Sequence, residues 1–216
     1  MSGTPAVILL DDDSAMRRSL TLALELAGYE VKAYASAESM VDGLEPGQAG
    51  CLLLDLRMPG MGGLEVQEAL HARGCTLPVI FISAFGDIPS TVRALKGGAI
   101  DFIEKPFTAE ALMARIEEAI ALDRRQRGEK ELQVAVAHRA RQLTRREYEV
   151  MHLVTEGLSN KEIARKMDIS PRTVEKYRAR VMEKMCADSI ADLCQMVASL
   201  PDGSGPNHHS DSGEST

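Results

Sequence analysis

Over the first 120 residues, short apolar runs alternate with amphipathic stretches. AVILL (6–10), EVKAY (30–34), CLLLD (51–55), PVIFI (78–82) and DFI (101–103) have the length and composition of strands. Between them lie AMRRSLTLALEL, SAESMVDGL, GLEVQEALHA and PSTVRALKGG, with TAEALMARIEEAI after the last, all with apolar positions at helical spacing. Three of the runs are almost wholly apolar, the mark of strands buried on both faces of a parallel sheet. The alternation predicts an α/β doubly wound five-stranded parallel sheet.

From about residue 121 the strand signal stops. DRRQRGEKELQVAVAHRARQ is charged and lacks proline, so it reads as a helical linker continuing the fifth helix, with a break expected at Gly128. Residues 141–200 are helical throughout, with clear start signals. Thr144 with Glu147 and Ser159 with Glu162 match the capping box, Ser170-Pro171 sets an N-cap before a first-turn proline, and Ser189 with Asp192 repeats the theme. Four helices follow, near 144–156, 159–167, 171–185 and 189–199. The tail PDGSGPNHHSDSGEST holds too little apolar surface to order itself, so disorder is expected there, with His208 and His209 solvated. The resulting division is 5–121, a linker at 122–140, an all-α four-helix domain at 141–200, and a tail at 201–216.

Charge supports two parts with different partners. Residues 1–122 carry 9 Lys/Arg against 17 Asp/Glu, whereas 141–200 carry 11 against 9. An acidic front would repel a polyanion; the back would not. No segment reaches the ~20 apolar residues of a membrane span and the N-terminus has no signal-peptide pattern, so a cytoplasmic protein with no membrane partner is expected. Cys51, Cys75, Cys186 and Cys194 show no metal-site spacing and read as reduced thiols.

In an open α/β sheet, ligands bind beyond the carboxyl ends of strands where strand order reverses. Asp11, Asp12 and Asp13 end the first strand, Asp55 the third and Ser83 the fourth; Lys105 follows the fifth. Taken singly, Asp13 is a helix cap, Asp55 a turn residue and Lys105 a surface charge. Together they place three carboxylates, a hydroxyl and an ammonium around one crevice. Such a set suits Mg²⁺, which takes oxygen ligands from one or two carboxylates and a phosphoryl group.

VILLDDDSAMRRSL, CLLLDLRMPGMGGLE, VIFISAFGDIP and GGAIDFIEKPF resemble the receiver domain of two-component response regulators, a CheY-like, flavodoxin-like fold, over residues 6 to about 120. The resemblance implies that Asp55 is the phosphoacceptor and that Asp11 and Asp12 form the Mg²⁺ pocket with it, joined by the backbone carbonyl of Arg57. It implies that Ser83 senses the phosphoryl group, Lys105 pairs with it and Phe102 changes rotamer on activation. Arg57 and Phe85 fall at positions that modulate phosphoryl lifetime, and residues 87–122 correspond to the surface that dimerises.

In the second domain, Ile163, Ala164, Met167 and Ile169 supply apolar contacts for one short helix and its turn. Val174, Tyr177, Val181 and Met185 form a stripe on the next, opposite Arg172, Lys176, Arg180 and Lys184 at four-residue spacing. A short capped helix, a three-residue turn and this helix read as a helix-turn-helix. LTRREYEVMHLVTEGLSNKEIARKMDISPRTVEKYRARVMEKM is similar to the LuxR-type domain of the FixJ and NarL groups of regulators. That implies Thr173, Glu175 and Lys176 nearest base edges, and Lys161, Arg172 and Arg180 on phosphates.

The joined halves imply a regulator, not an enzyme: a sensor histidine kinase phosphorylates Asp55, a homodimer forms and binds promoter DNA, and RNA polymerase is recruited to activate transcription. Two other classes of protein share parts of this pattern. A Mg²⁺-dependent aspartyl phosphohydrolase would need a D-x-D pair after the first strand and leaves the second domain without a role. A small-molecule-responsive LuxR-type regulator would need an aromatic-lined chamber, which the acidic first domain does not suggest.

Overall fold

The computed structural model describes residues 4–84 and 88–201; Phe85 and all but the first residue of the tail, His208 and His209 included, lie outside the described residues. The elements run β1 (Ala6–Leu10), α1 (Ser14–Leu26), β2 (Glu30–Tyr34), α2 (Ala37–Gly43), β3 (Gly50–Asp55), α3 (Gly63–Ala72), β4 (Val79–Ser83), α4 (Ile88–Lys96), β5 (Asp101–Glu104) and α5 (Ala109–Arg141). Then come α6 (Arg145–Thr155), α7 (Asn160–Met167), α8 (Pro171–Met185) and α9 (Ile190–Ala198). The chain divides into two compact units, Met1–Arg127 and Gly128–Thr216.

In the first unit all strands are parallel, in the order β2-β1-β3-β4-β5. The expected doubly wound five-stranded sheet is therefore present. The three strands with apolar runs, β1, β3 and β4, are central and buried along their whole length, while β2 and β5 form half-exposed edges. Alternate residues of the central strands serve opposite layers. Ile8, Leu10, Leu52, Leu54 and Phe81 pack with Met40 of α2, Val66 and Leu70 of α3 and Ala94 of α4. Val7, Leu9, Leu53, Ile80 and Ile82 pack with Leu20 and Leu24 of α1 and with Leu112, Ile116 and Ala119 of α5. The chain leaves β1 toward one side for β2 and returns on the other for β3, so the order reverses between β1 and β3, and their carboxyl ends open a crevice.

In the second unit, α6–α9 enclose Val150, Met151, Leu153, Ile163, Val174, Val181, Met185 and Leu193 around one core, to which the end of α5 adds Val136 and Ala140. The expected caps form. Both capping boxes are complete, Thr144 with Glu147 and Ser159 with Glu162. Ser170 caps α8 ahead of Pro171, and Ser189 accepts from the amide of Asp192. Each such cap is worth about 1 kcal/mol, which matters for an eight-residue helix such as α7.

The break expected at Gly128 does not occur: α5 is continuous for 33 residues, and Gly128 is helical within it. A glycine inside a helix costs about 1 kcal/mol relative to alanine. Here it is flanked by Arg127, Glu129, Lys130 and Glu131, all good helix formers, and interrupts no other local signal.

Candidate functional site: an acidic crevice and a cation-bearing helix

The crevice between β1 and β3 holds the residues that the sequence singled out. Asp11 follows β1 directly and is fully buried; Asp55 ends β3 and is 9% exposed; Asp12 is exposed. One carboxylate oxygen from each of the three lies within 4.8 Å of the others. Lys105, just past β5, closes the cluster: its Nζ donates to Asp55 Oδ2 at 2.8 Å and to Asp11 Oδ2 at 3.1 Å. Its backbone amide donates to the carbonyl of Ser83 at 2.7 Å, tying the ends of β4 and β5 together. Ser83 is buried at the end of β4, in register one place beyond the Asp55–Ile82 pair. Phe102, half-buried on edge strand β5, lies opposite Phe81 and packs on the core.

Backbone groups orient the acids. The Arg57 amide donates to Asp55 Oδ1 at 3.1 Å and the Asp13 amide to Asp11 Oδ1 at 2.9 Å. Asp13 itself caps α1, accepting from the amides of Ala15 and Met16, which hold its carboxyl below the usual carboxylate range. At Gly63, the first residue of α3, any Cβ would overlap the carbonyl oxygen of Asp55 and lie 2.9 Å from Phe81 Cε1. Glycine there lets α3 begin against the end of β3.

Burial pushes the Asp11 carboxyl up from its ordinary value; the bonds from Lys105 oppose this incompletely. For Lys105, burial alone would depress the ammonium, but Asp55 and Asp11 outweigh it and hold the amine above its usual range. The crevice thus concentrates negative charge that a single lysine only partly offsets. Hard oxygen donors with a residual charge deficit fit a divalent cation such as Mg²⁺.

In the second unit, α7, the turn Asp168–Ser170 and α8 form the helix-turn-helix. Asp168 turns the chain with φ 55°, a left-handed conformation that a short polar side chain tolerates. Val174, Val181 and Met185 of α8 are buried and Tyr177 half-buried, as the apolar stripe requires. Lys161, Arg172, Glu175, Lys176 and Arg180 are exposed; Thr173 is half-exposed, its hydroxyl 2.8 Å from that of Ser170 at the cap. Lys184 departs from the stripe expected of it. Its Nζ lies 2.6 Å from Glu147 Oε2 on α6, leaving Arg172, Lys176 and Arg180 as the outward cations.

Several functional contacts escaped the sequence. Arg17 of α1 donates to the carbonyls of Asp11 (2.7 Å) and Asp12 (3.3 Å), bracing the acidic loop. Asp123 of α5, 3% exposed, accepts from the Gly50 amide at 2.9 Å and from Arg127 Nε at 2.8 Å. Arg127 reaches the carbonyls of Gly47 and Gln48. Charge spacing announces the Asp123/Arg127 pair (i, i+4) but not its partners 73 to 80 positions away.

Residues 7–117 match the response regulator receiver domain family, and residues 141–197 the luxR family of bacterial regulatory proteins. The chain is 42% identical over 202 residues to nodulation protein W of Bradyrhizobium diazoefficiens, covering 94% of this chain and 88% of that one. It is 41% identical over 191 residues to the transcriptional regulatory protein FixJ of the same species, covering 88% and 93%. Among solved structures, the response regulator StyR superposes with a TM-score of 0.81 at 41% identity, covering 92% of this chain and all of that one. No described helix is long and apolar enough to cross a membrane. Matched on both halves and across nearly its whole length, the chain belongs to the FixJ/NarL family of two-component response regulators, with a receiver domain followed by a LuxR-type DNA-binding domain.

Proposed function

We propose that the protein is a cytoplasmic transcription activator switched by phosphorylation of Asp55. The observation that carries this reading is the convergence on one crevice of Asp55, Asp11, Asp12 and Lys105. It occurs in a chain whose second domain offers Arg172, Lys176 and Arg180 outward from α8. A carboxylate oxygen of Asp55 attacks the phosphorus of a phosphohistidine on a sensor kinase; the P–N bond breaks and the imidazole leaves with its electron pair, giving an acyl phosphate. Asp11, Asp12, Asp55 and the backbone carbonyl of Arg57 would hold Mg²⁺, which supplies positive charge against the transferring oxygens. Lys105 exchanges a carboxylate oxygen of Asp55 for a phosphoryl oxygen, and the hydroxyl of Ser83 donates to another. Phe102 follows by changing rotamer, and residues 87–122 form the homodimer surface.

The dimer then reads two half-sites of promoter DNA and recruits RNA polymerase. Thr173, Glu175 and Lys176 approach base edges; Lys161, Arg172 and Arg180 contact phosphates. A domain with so small an excess of positive charge binds weakly alone, which makes avidity the means of control. The test is genome-wide occupancy of wild type and Asp55→Asn, with dimerisation driven by acetyl phosphate in vitro. Occupancy and dimerisation should both collapse in the variant. Equal occupancy, with no response of wild type to the phosphodonor, would overturn the proposal.

A further inference from the structure

Lys184 and Glu147 form a contact that neither the phosphorylation chemistry nor the DNA contacts above employ. Glu147 is 2% exposed, yet it sits at the third position of α6 in a mostly polar first turn. One of its oxygens, Oε2, accepts from the Thr144 amide at 2.8 Å, completing the capping box, and from Lys184 Nζ at 2.6 Å. Lys184 also donates to the Gln142 carbonyl at 3.3 Å. One residue on, the Met185 carbonyl at the end of α8 accepts from Arg139 Nη1 at 3.2 Å. Three successive stretches of chain therefore grip the C-terminal end of α8: the last turn of α5 (Arg139), the turn after it (Gln142) and the start of α6 (Glu147).

These bonds converge on the helix end that is remote from Arg172, Thr173 and Lys176. Packing fixes α8 along its apolar stripe through Val174, Val181 and Met185, but such a stripe permits small rotations and axial slides. Directional bonds at one end remove that freedom. A helix that must bring side chains within hydrogen-bond distance of base edges loses discrimination when it rotates by a few degrees, whereas phosphate contacts made by long, flexible side chains tolerate it.

We propose that Glu147 and Lys184 are positioning residues for sequence discrimination: their buried pair, with Arg139 on the Met185 carbonyl, fixes the rotation and axial placement of α8 without either side chain touching DNA. The proposal rests on the reading that α8 is the base-reading helix. Burial works against the charged form of Glu147, yet the bonds from Lys184 and Thr144 hold its carboxyl below the usual range, so Glu147 meets the lysine as a carboxylate at neutral pH.

The prediction differs in sign from simple electrostatics. Glu147→Gln retains an acceptor for the Thr144 amide, since glutamine also serves in capping boxes, and removes one negative charge from the DNA-binding domain. Charge alone would tighten binding to any duplex. Positioning predicts weaker binding to a preferred sequence. The experiment uses the full chain treated with acetyl phosphate. One duplex is enriched by the wild-type chain from a random-sequence pool, and the other is poly(dI–dC).

Glu147→Gln and Lys184→Met should each lose about tenfold in affinity for the enriched duplex, comparable to one mispaired base contact. Binding to poly(dI–dC) should stay within about twofold, with an unchanged slope of log affinity against log salt. Lys184→Arg should restore most of the discrimination. Should a single variant fail to fold, Glu147→Gln/Lys184→Met, which leaves no unpaired buried charge, should show the same selective loss. Equal losses on both duplexes in a folded Lys184→Met, with a salt slope reduced by about 1, would make Lys184 a phosphate contact and overturn the proposal. Tighter binding by Glu147→Gln to both duplexes would overturn it too. If wild type enriches no sequence, the base-reading role of α8 fails and the positioning role falls with it.

Discussion

Replacing Lys105 by methionine tests the electrostatics of the crevice. The substitution keeps the aliphatic stem and deletes the ammonium that lies 2.8 Å from Asp55 and 3.1 Å from Asp11. The two carboxylates, with oxygens within 4.8 Å of each other, then face one another without a counter-charge. At an effective dielectric of about 20, that repulsion amounts to ~3.5 kcal/mol. It has a ceiling, because Asp11 can take up a proton. Protonating a carboxyl of ordinary acidity costs ~5 kcal/mol at pH 7.5 but only ~1.6 kcal/mol at pH 5. The sign follows from the raised Asp11 carboxyl. Its contribution to stability is complete below 3.8 and is lost as pH rises through the higher folded-state value, which removal of Lys105 raises further. The contribution of Lys105 in the wild type is lost only above 10.5, outside this window. Calorimetry of the full chain, following the receiver transition, should show Lys105→Met melting about 12 °C below wild type at pH 7.5 and less than about 6 °C below at pH 5. Adding Asp55→Asn to Lys105→Met should recover part of the loss at pH 7.5. The same loss at both pH values, or no recovery in the double variant, would refute the reasoning.

Other consequences can be measured directly. Gly63→Ala should destabilise the receiver by about 1–3 kcal/mol in urea unfolding, because the new methyl crowds both the Asp55 carbonyl and the ring of Phe81; an unchanged midpoint would show that α3 yields freely. Arg127→Ala leaves the Asp123 carboxylate buried beside the Gly50 amide without its cation, and should cost about 2 kcal/mol by the same assay; a smaller loss than that of a surface alanine control would contradict the clamp. Burial pushes the Cys51 thiol up to about 12, so iodoacetamide at pH 8 should label exposed Cys186 well before Cys51, read by mass spectrometry. Lys176→Ala should weaken specific binding more than non-specific binding, and equal losses would move that lysine to the phosphate-contact class.

What could be read from the sequence was what depends on near neighbours. The apolar runs placed β1, β3 and β4 at the centre of the sheet because burial on both faces requires uninterrupted apolar residues. Capping boxes placed the starts of α6 and α7 because their partners lie three residues apart. Asp11, Asp55 and Lys105 were legible because strand ends in this topology converge wherever the strands lie in the sequence. What failed had a different physical origin. Gly128 was expected to break a helix on local propensity, yet a single glycine among helix formers is a small perturbation in a helix of 33 residues. Lys184 satisfied the four-residue spacing of an outward face, but its partner, Glu147, stands 37 positions earlier. Arg17 bracing the acidic loop and Asp123 holding the Gly50 amide are likewise choices among several acceptors that only the folded backbone brings into reach.

The long α5 helix bears on how such proteins can be recombined. Its first half belongs to one core through Leu112, Ile116 and Ala119, and to the loop before β3 through Asp123 and Arg127. Its end belongs to the other through Val136 and Ala140. Between them, residues 128–134 are all exposed, and beyond the helix's own backbone no atom of the described residues lies within 4 Å of where a Cβ on Gly128 would stand. A crossover upstream of Arg127 would strip a buried carboxylate or amide of its partner, and one downstream of Val136 would remove part of a hydrophobic core. The seven residues between are the stretch where a different output could be spliced to this receiver, or this output to a different receiver, with both cores left whole.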